Sequence, residues 1–205
     1  MYMKQTLVLL AGYPGTGKTY LSQLIQQKIG AFQEVSPDTI KERNWDIFGF
    51  DTLEEKESLI QLSWKEYYLE LEEWFKRYKN TISDYPFSCK QHDQLRNLTD
   101  KYQYQVITVR LISDLNILFE RQKNRDLNTN RHLGHIVLQY HKGMKLKNHK
   151  QADNLLTKEE FFDRCLNRGY QSFSLGKLYE VDVTDFSKVD YSTLLNNIKQ
   201  DIYYR

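Results

Sequence analysis

Along this chain the spacing of apolar residues changes period several times, and each change marks an element. Residues 6–11, Thr-Leu-Val-Leu-Leu-Ala, form a short unbroken apolar run that stops at Gly12, the pattern of a strand buried on both faces. From Lys18 the period becomes helical. Leu21, Leu24, Ile25 and Ile29 share one stripe, and Gly30 supplies the stop. Residues 32–36 read as a weaker, more polar strand, suited to the edge of a sheet. Between residues 52 and 79, Ile60, Trp64, Tyr67, Leu71, Trp74 and Tyr78 recur every three or four positions, and Thr52 with Glu55 has the spacing of a capping box. An unbroken helix of that length would run about 40 Å, so a bend or a pair of helices is expected there.

Beyond it, residues 80–84 predict a brief strand closed by Tyr85-Pro86, and residues 89–102 a polar helix. Residues 104–112, Tyr-Gln-Val-Ile-Thr-Val-Arg-Leu-Ile, predict a second buried strand, followed by a helix over 114–125. Residues 126–156 are polar, poorly periodic and rich in Asn, His and Lys, and are the place where a flexible insertion or lid is expected. A short helix near 158–167, a strand at 177–183 and a closing helix with Tyr191, Leu194, Leu195, Ile198 and Ile202 on one face complete the pattern. No internal repeat and no Pro- or Ser-rich linker interrupts it. Strands alternating with helices predict a single α/β domain, a parallel sheet with helices on both sides.

Composition narrows the class without naming a chemistry. The chain has 205 residues, 40% apolar and 27% charged, the proportions of a soluble globular domain rather than a disordered one. A formal net charge of +2 gives no general attraction to nucleic acid, so any basic surface must be local. Cys89 and Cys165 fit no metal or redox spacing and are expected to be buried free thiols in a reducing compartment. The apolar run at 6–11 is too short for a secretion signal, and no stretch approaches the roughly 20 apolar residues that span a bilayer. A cytoplasmic location and no membrane partner are expected.

The chemistry enters at Gly12-Tyr13-Pro14-Gly15-Thr16-Gly17-Lys18-Thr19-Tyr20, placed between a predicted strand and a predicted helix. Gly-x-x-x-x-Gly-Lys-Thr is the phosphate-binding loop, or Walker A pattern. Its glycines allow positive φ angles that turn backbone N–H groups inward as a nest for phosphate oxygens. The helix that follows adds unpaired N–H groups and the positive end of its dipole. Lys18 can bridge the outer phosphates and the Thr19 hydroxyl can ligate Mg²⁺. A nucleoside triphosphate is therefore the expected ligand of residues 12–20. Asp84, at the end of the 80–84 strand, is the candidate second anchor for the metal, although a strand-end aspartate also serves as a turn former.

Proline inside this loop, Ser36-Pro-Asp38-Thr-Ile-Lys41 after the second strand, and Arg121-x-x-x-Arg125 on a helix leading toward the 126–156 segment carry a resemblance that spans most of the chain. The sequence resembles the small P-loop phosphotransferases with an adenylate-kinase-type core, and among them the branch of polynucleotide 5′-hydroxyl kinases and zeta-toxin-like kinases. The resemblance implies a three-layer α/β/α sandwich with five parallel strands in the order 2-3-1-4-5. It implies that Asp38 accepts the proton of an attacking hydroxyl, that Lys41 helps hold the acceptor, and that Arg121 and Arg125 close over the phosphates. Lysine at 41 stands where arginine is common, which removes bidentate phosphate recognition from that position.

The residue types agree with such chemistry. A hydroxyl becomes a competent nucleophile when a carboxylate within hydrogen-bond reach takes its proton, and arginines stabilise charge spread over a transferring phosphoryl group without losing their own. Asp38 can equally be a helix N-cap, and the two arginines a solvated helix face. Arg131 and His132 follow on the loop. His132-x-x-His135, with His141 and His149, matches no strong zinc spacing. Residues 141–150 carry four lysines and no acid, either a solvated loop or a track for a nucleic-acid backbone. Most of the 15 tyrosines are spaced as helix faces and are expected to pack. The sequence reading is an ATP-dependent kinase whose acceptor is a nucleic-acid 5′-hydroxyl or a small molecule. The alternative class is a nucleotide-binding regulator, or an ATPase that transfers phosphate only to water. No Asn-Lys-x-Asp base-reading motif points to a GTPase, and the chain is small for a ring-forming ATPase.

Overall fold

A computed structural model of the chain describes residues 4–30 and 32–203. Its organising element is β1 (Thr6–Gly12), buried along its whole length. Both edges of β1 are occupied by parallel neighbours, β3 (Thr81–Asp84) and β4 (Gln105–Ile112). β2 (Gln33–Glu34) pairs outside β3 and β5 (Lys177–Asp182) outside β4, so the strand order is β2-β3-β1-β4-β5, with the first strand central as expected.

Successive side chains of a strand point to opposite faces, and here each face has its own core. Leu7, Leu9 and Ala11 pack with Tyr67, Leu71 and Phe75 of α3 (Leu53–Lys76) and Leu95 of α4 (Cys89–Tyr102). Val8 and Leu10 pack on the other face with Leu21 and Ile25 of α1 (Lys18–Ile29) and Leu194 and Ile198 of α7 (Tyr191–Ile202). Four consecutive fully buried positions, each stabilising the fold by about 2 kcal/mol, fix β1 as the reference frame. The loop that leaves its carboxyl end inherits that rigidity. In open α/β sheets, ligands bind outside the carboxyl ends of the strands where the order reverses, and that place is the crevice beside β1 and β3.

The elements depart from the sequence reading at several points. Residues 52–79 do not form two helices: α3 is one continuous helix of 24 residues. It contains no glycine or proline, its buried stripe is unbroken, and Thr52 and Glu55 complete the capping box reciprocally. A helix absent from the reading, α2 (Pro37–Phe48), follows β2 directly, with Ser36 at its N-cap and Pro37 in its first turn. Asp38 therefore lies inside that turn and is not the cap. Cys165 is buried, whereas Cys89 is exposed at the first position of α4, a correction to the expectation for both thiols; neither forms a disulfide.

The segment 126–156, between α5 (Leu115–Asp126) and α6 (Lys158–Asn167), contains two single-turn 3₁₀ helices, Leu133–His135 and His149–Gln151. It is irregular yet well packed. Leu133, Ile136, Val137 and Tyr140 form a separate small core with Trp45 of α2 and Phe50, and Phe50 and Tyr140 exchange backbone hydrogen bonds of 2.8 Å in both directions. Among the described residues, no helix is long and apolar enough to cross a membrane.

Candidate functional site

The loop after β1 is shaped by three glycines with left-handed backbones, Gly12 at φ 108°, Gly15 at 84° and Gly17 at 82°. Gly12 shows why the residue type is obligatory: a Cβ there would stand 2.1 Å from the carbonyl oxygen of Leu111 on β4. Lys18 folds back across the loop. Its Nζ donates to the carbonyls of Tyr13 (2.7 Å) and Gly12 (3.1 Å) and to Thr16 Oγ1 (3.3 Å), while Thr16 Oγ1 donates to Tyr13 O. Burial pushes the Lys18 pKa down to about 8, Arg125 adds to the fall, and Asp84 and Asp38 oppose it. A polyanion arriving in the loop would stabilise the charged form.

Thr19, in the first turn of α1, donates its hydroxyl to Asp84 Oδ2 at 2.7 Å, joining the carboxyl ends of β1 and β3. These two side chains, 65 residues apart in sequence, are the pair proposed as metal anchors. Mg²⁺ keeps several waters and asks for only one or two protein carboxylates, and one hydroxyl beside one carboxylate fits that demand.

Across the crevice, the first turn of α2 presents Asp38 and Lys41. Lys41 is 5% exposed. Its Nζ lies 3.3 Å from Asp38 Oδ1, donates to Tyr85 Oη at 2.9 Å, and sits 4.1 Å from the Tyr85 ring centroid and 5.5 Å from that of Trp64. Burial would raise the Asp38 pKa, but Lys41, His135, Arg125 and Arg131 outweigh it and hold the carboxyl well below the usual carboxylate range.

The two arginines of α5 part company. Arg121 is fastened: its guanidinium donates to the carbonyls of Val183 and Thr184, each at 2.9 Å, and lies 3.9 Å over the ring of Phe186. That use of two N–H groups on the backbone sets Arg121 apart from Arg125. Arg125 is exposed on the crevice with no ion-pair or hydrogen-bond partner among the described residues. Arg131 Nε is 3.3 Å from Asp126 Oδ1 and is buried without a hydrogen bond.

The histidines of the 126–156 segment pair with carboxylates on and just after α2. His135 Nε2 is 2.7 Å from Glu42 Oε1, His132 Nε2 is 3.2 Å from Asp46 Oδ1, and His141 Nε2 is 2.9 Å from Asp51 Oδ1. Asp46 also accepts from the Tyr140 hydroxyl at 2.5 Å. These contacts strap the segment to α2, alongside its small apolar core.

One cleft of about 960 Å³ is lined by Gly15, Lys18, Thr19, Asp38, Lys41, Asp84, Arg121 and Arg125 together. Pro14 and Gly17 line it as well. Gly12, Tyr13 and Thr16 lie behind the loop, where their backbones shape the nest; the Tyr13 side chain packs with Phe161, Cys165 and Tyr170. Tyr20 is outside the cleft, 57% exposed with its ring against Tyr191. The cleft also contains groups that the sequence reading missed: Lys56 of α3, Tyr85, Arg164 and Arg168 of the α6 region, and Phe186. Arg164-x-x-x-Arg168 has the same spacing as Arg121-x-x-x-Arg125 and was findable on that ground. Lys56 sits in Glu54-Glu55-Lys56-Glu57, which reads as a solvated face, and nothing in the sequence singles it out. In all, eight lysines and arginines face five aspartates and glutamates in the cleft, so it is net basic although the chain is nearly neutral.

Sheet order, glycine loop and crevice together define a P-loop kinase-like α/β fold. The chain belongs to the family described as an AAA domain, whose model matches residues 7–144. No curated protein matches the sequence. Among solved structures, a candidate kinase from Chloroflexus aurantiacus J-10-fl superposes with a TM-score of 0.72 at 19% identity, over 98% of this chain and 97% of that one. A gluconokinase from Sinorhizobium meliloti 1021 superposes at 0.56 with 10% identity, again over 98% and 97%. A chain of the Pnkp1/Rnl/Hen1 RNA repair complex gives 0.54 at 15% identity, over 86% of this chain but 48% of that one. At these identities the likeness is one of fold.

Proposed function

We propose that the protein is an ATP-dependent phosphotransferase that moves the γ-phosphoryl group of ATP to a hydroxyl acceptor. The observation that carries this reading is the shared cleft: Lys18, Thr19, Asp84 and Asp38 all line one cavity of about 960 Å³. A regulator or a bare ATPase has no need of an acceptor-sized space beside a carboxylate facing the loop lysine.

In this reading the backbone N–H groups of residues 15–19 cradle the phosphates and Lys18 leaves the carbonyls of Gly12 and Tyr13 to meet the outer ones. Thr19 and Asp84 would hold Mg²⁺, directly or through water; the ion when bound neutralises charge on the phosphate oxygens. Asp38 hydrogen-bonds the acceptor hydroxyl. The hydroxyl oxygen forms a bond to Pγ, the Pγ–O bond to ADP breaks with its electron pair leaving on ADP, and the hydroxyl proton passes to the Asp38 carboxylate. A carboxylate held far below neutral is a weak base, so its main contribution is orientation, as suits a loose transition state with little early proton transfer. Arg125, unpaired on the cleft, supplies charge to the transferring group, and Arg121, anchored through Val183 and Thr184, braces the nucleotide side with Phe186.

The test is a screen of hydroxyl compounds and 5′-hydroxyl oligonucleotides with labelled ATP, run beside Asp38→Asn. Transfer should fall by about a hundredfold or more with ATP affinity nearly unchanged; transfer at the wild-type rate would remove Asp38 from the reaction.

A further inference from the structure

The acceptor side of the cleft holds a cation that the reaction above does not use. Lys56, on the first turns of α3, is 9% exposed and lines the cleft. Its Nζ donates to the carbonyl of Val137 at 3.1 Å and lies 5.0 Å from the ring of Phe50 and 5.7 Å from that of Trp45. No carboxylate forms an ion pair with it among the described residues. A buried ammonium without a directly paired anion is costly; the charge that acts on it most strongly is another cation, Arg164 of α6, and Asp153 opposes that effect only in part. Arg164 is half-buried, also lines the cleft, and has no ion-pair partner among the described residues. Between these two elements, Trp45 lines the same wall. It is 2% exposed, and its indole Nε1–H is buried with no hydrogen-bond partner. Three donor groups from three helices thus line the cleft without an ion-pair partner among the described residues, and none of them belongs to the phosphate-binding loop.

We infer that the acceptor carries a phosphate ester in addition to its reacting hydroxyl, and that this group seats among Lys56, Trp45 and Arg164. The hydroxyl half of the statement rests on the phosphotransfer reading; the anion site rests on its own geometry. An ammonium, a guanidinium and an indole N–H approaching from three helices suit an anion whose acceptors point in several directions, as the three terminal oxygens of a phosphate monoester do, whereas the two oxygens of a carboxylate lie in one plane. The ligand is a small molecule. Lys142, Lys145, Lys147 and Lys150, the residues that would guide a polymer backbone, are exposed and do not line the cleft, so no basic track continues outward from Lys56.

The experiment uses the full chain saturated with Mg²⁺ and a non-hydrolysable ATP analogue, which occupies the loop. Calorimetric titrations compare ribose with ribose 5-phosphate, glycerol with glycerol 3-phosphate and gluconate, and include inorganic phosphate and a 5′-hydroxyl dinucleotide. Inorganic phosphate and at least one ester should bind, the ester at least tenfold more tightly than its neutral partner. Lys56→Met and Arg164→Gln should each weaken that binding about tenfold, and Lys56→Met should leave analogue affinity unchanged. The inference is overturned if esters bind no better than neutral partners, if carboxylate or dinucleotide binds best, or if Lys56→Met keeps ester affinity while lowering the melting temperature, the behaviour of a mere tether for Val137. Ester binding that Lys56→Met abolishes, with no compound phosphorylated, would uphold the anion site while refuting the kinase reading.

Discussion

Lys56 and Lys18 are both lysines that burial holds well below their ordinary pKa. Burial takes the Lys56 amine from its ordinary 10.5 down to about 8, with Arg164 adding to the fall, and Lys18 falls to a similar value. The sign follows from proton counting. Between pH 8 and 10.5 the unfolded chain holds protons that the folded chain has released, so stability rises with pH across that window. At neutral pH the Lys56 charge costs about 3 kcal/mol, from a difference of 2.5 at 1.36 kcal/mol each. Lys56→Met keeps the aliphatic stem and removes the charge. Thermal denaturation should therefore show a melting temperature higher by a few degrees at pH 7, with part of the rise toward pH 10 gone. Unchanged pH dependence would mean that the amine is better solvated than its burial indicates. Arg125→Ala should lower turnover roughly tenfold to a hundredfold with little change in ATP affinity, because an exposed, unpartnered guanidinium engages charge that develops in the transition state. Steady-state kinetics separate that outcome from a loss confined to binding.

At the scale of elements, α2 and the 126–156 segment form one unit, and the seam between them is titratable. Burial opposes ionisation of Glu42, yet its hydrogen bond to His135 carries the carboxyl below its usual range. The hydrogen bond from Tyr140 does the same for Asp46, helped by His132. His135 is pushed down by burial, against the pull of Glu42. Carboxylates with depressed pKa values stabilise above their unfolded values and lose that contribution as pH falls through the folded ones. A histidine with a depressed pKa likewise disfavours the docked state as it charges. Both act in one direction, so the strap weakens as pH drops from neutral into the acid range. Hydrogen exchange should show residues 132–141 losing protection as pH falls from neutral into the acid range while β1 and β4 stay protected, and Glu42→Gln should shift that loss toward neutral pH. Simultaneous loss in segment and sheet would mean that the two do not open separately.

For the molecule as a whole, the cleft is lined both by the loops at the carboxyl ends of the strands and by α2 and α3. A ligand that spans them links their stabilities. Mg²⁺–ATP analogue at a hundred times its dissociation constant adds about 2.7 kcal/mol, which for a chain of 205 residues raises the melting temperature by roughly 5–10 °C. Lys18→Ala should abolish most of that shift, and a full shift in the variant would place the nucleotide elsewhere.

How much of this was legible in the amino-acid order depends on how local the physics is. The strands β1 and β4, the helix after Gly17 and the phosphate loop follow from periods and turn residues within a dozen positions, and the loop's glycines are dictated by backbone angles that no side chain changes. Asp38 could be singled out, but whether it faced Lys18 could not, since that depends on where α2 docks. The continuous course of α3 depends on a buried stripe whose partners lie on β1 and α4. The parting of Arg121 and Arg125, identical in spacing, was settled by two carbonyls of the strand end at 183–184. Lys56 looked like one solvated charge among glutamates, and only the packing of α3 under Trp45, Phe50 and Val137 took its water away. Short-range periodicity thus determined the elements and the nucleotide loop, while desolvation and long-range contacts, which exist only once the chain has closed on itself, decided which charges face the cleft.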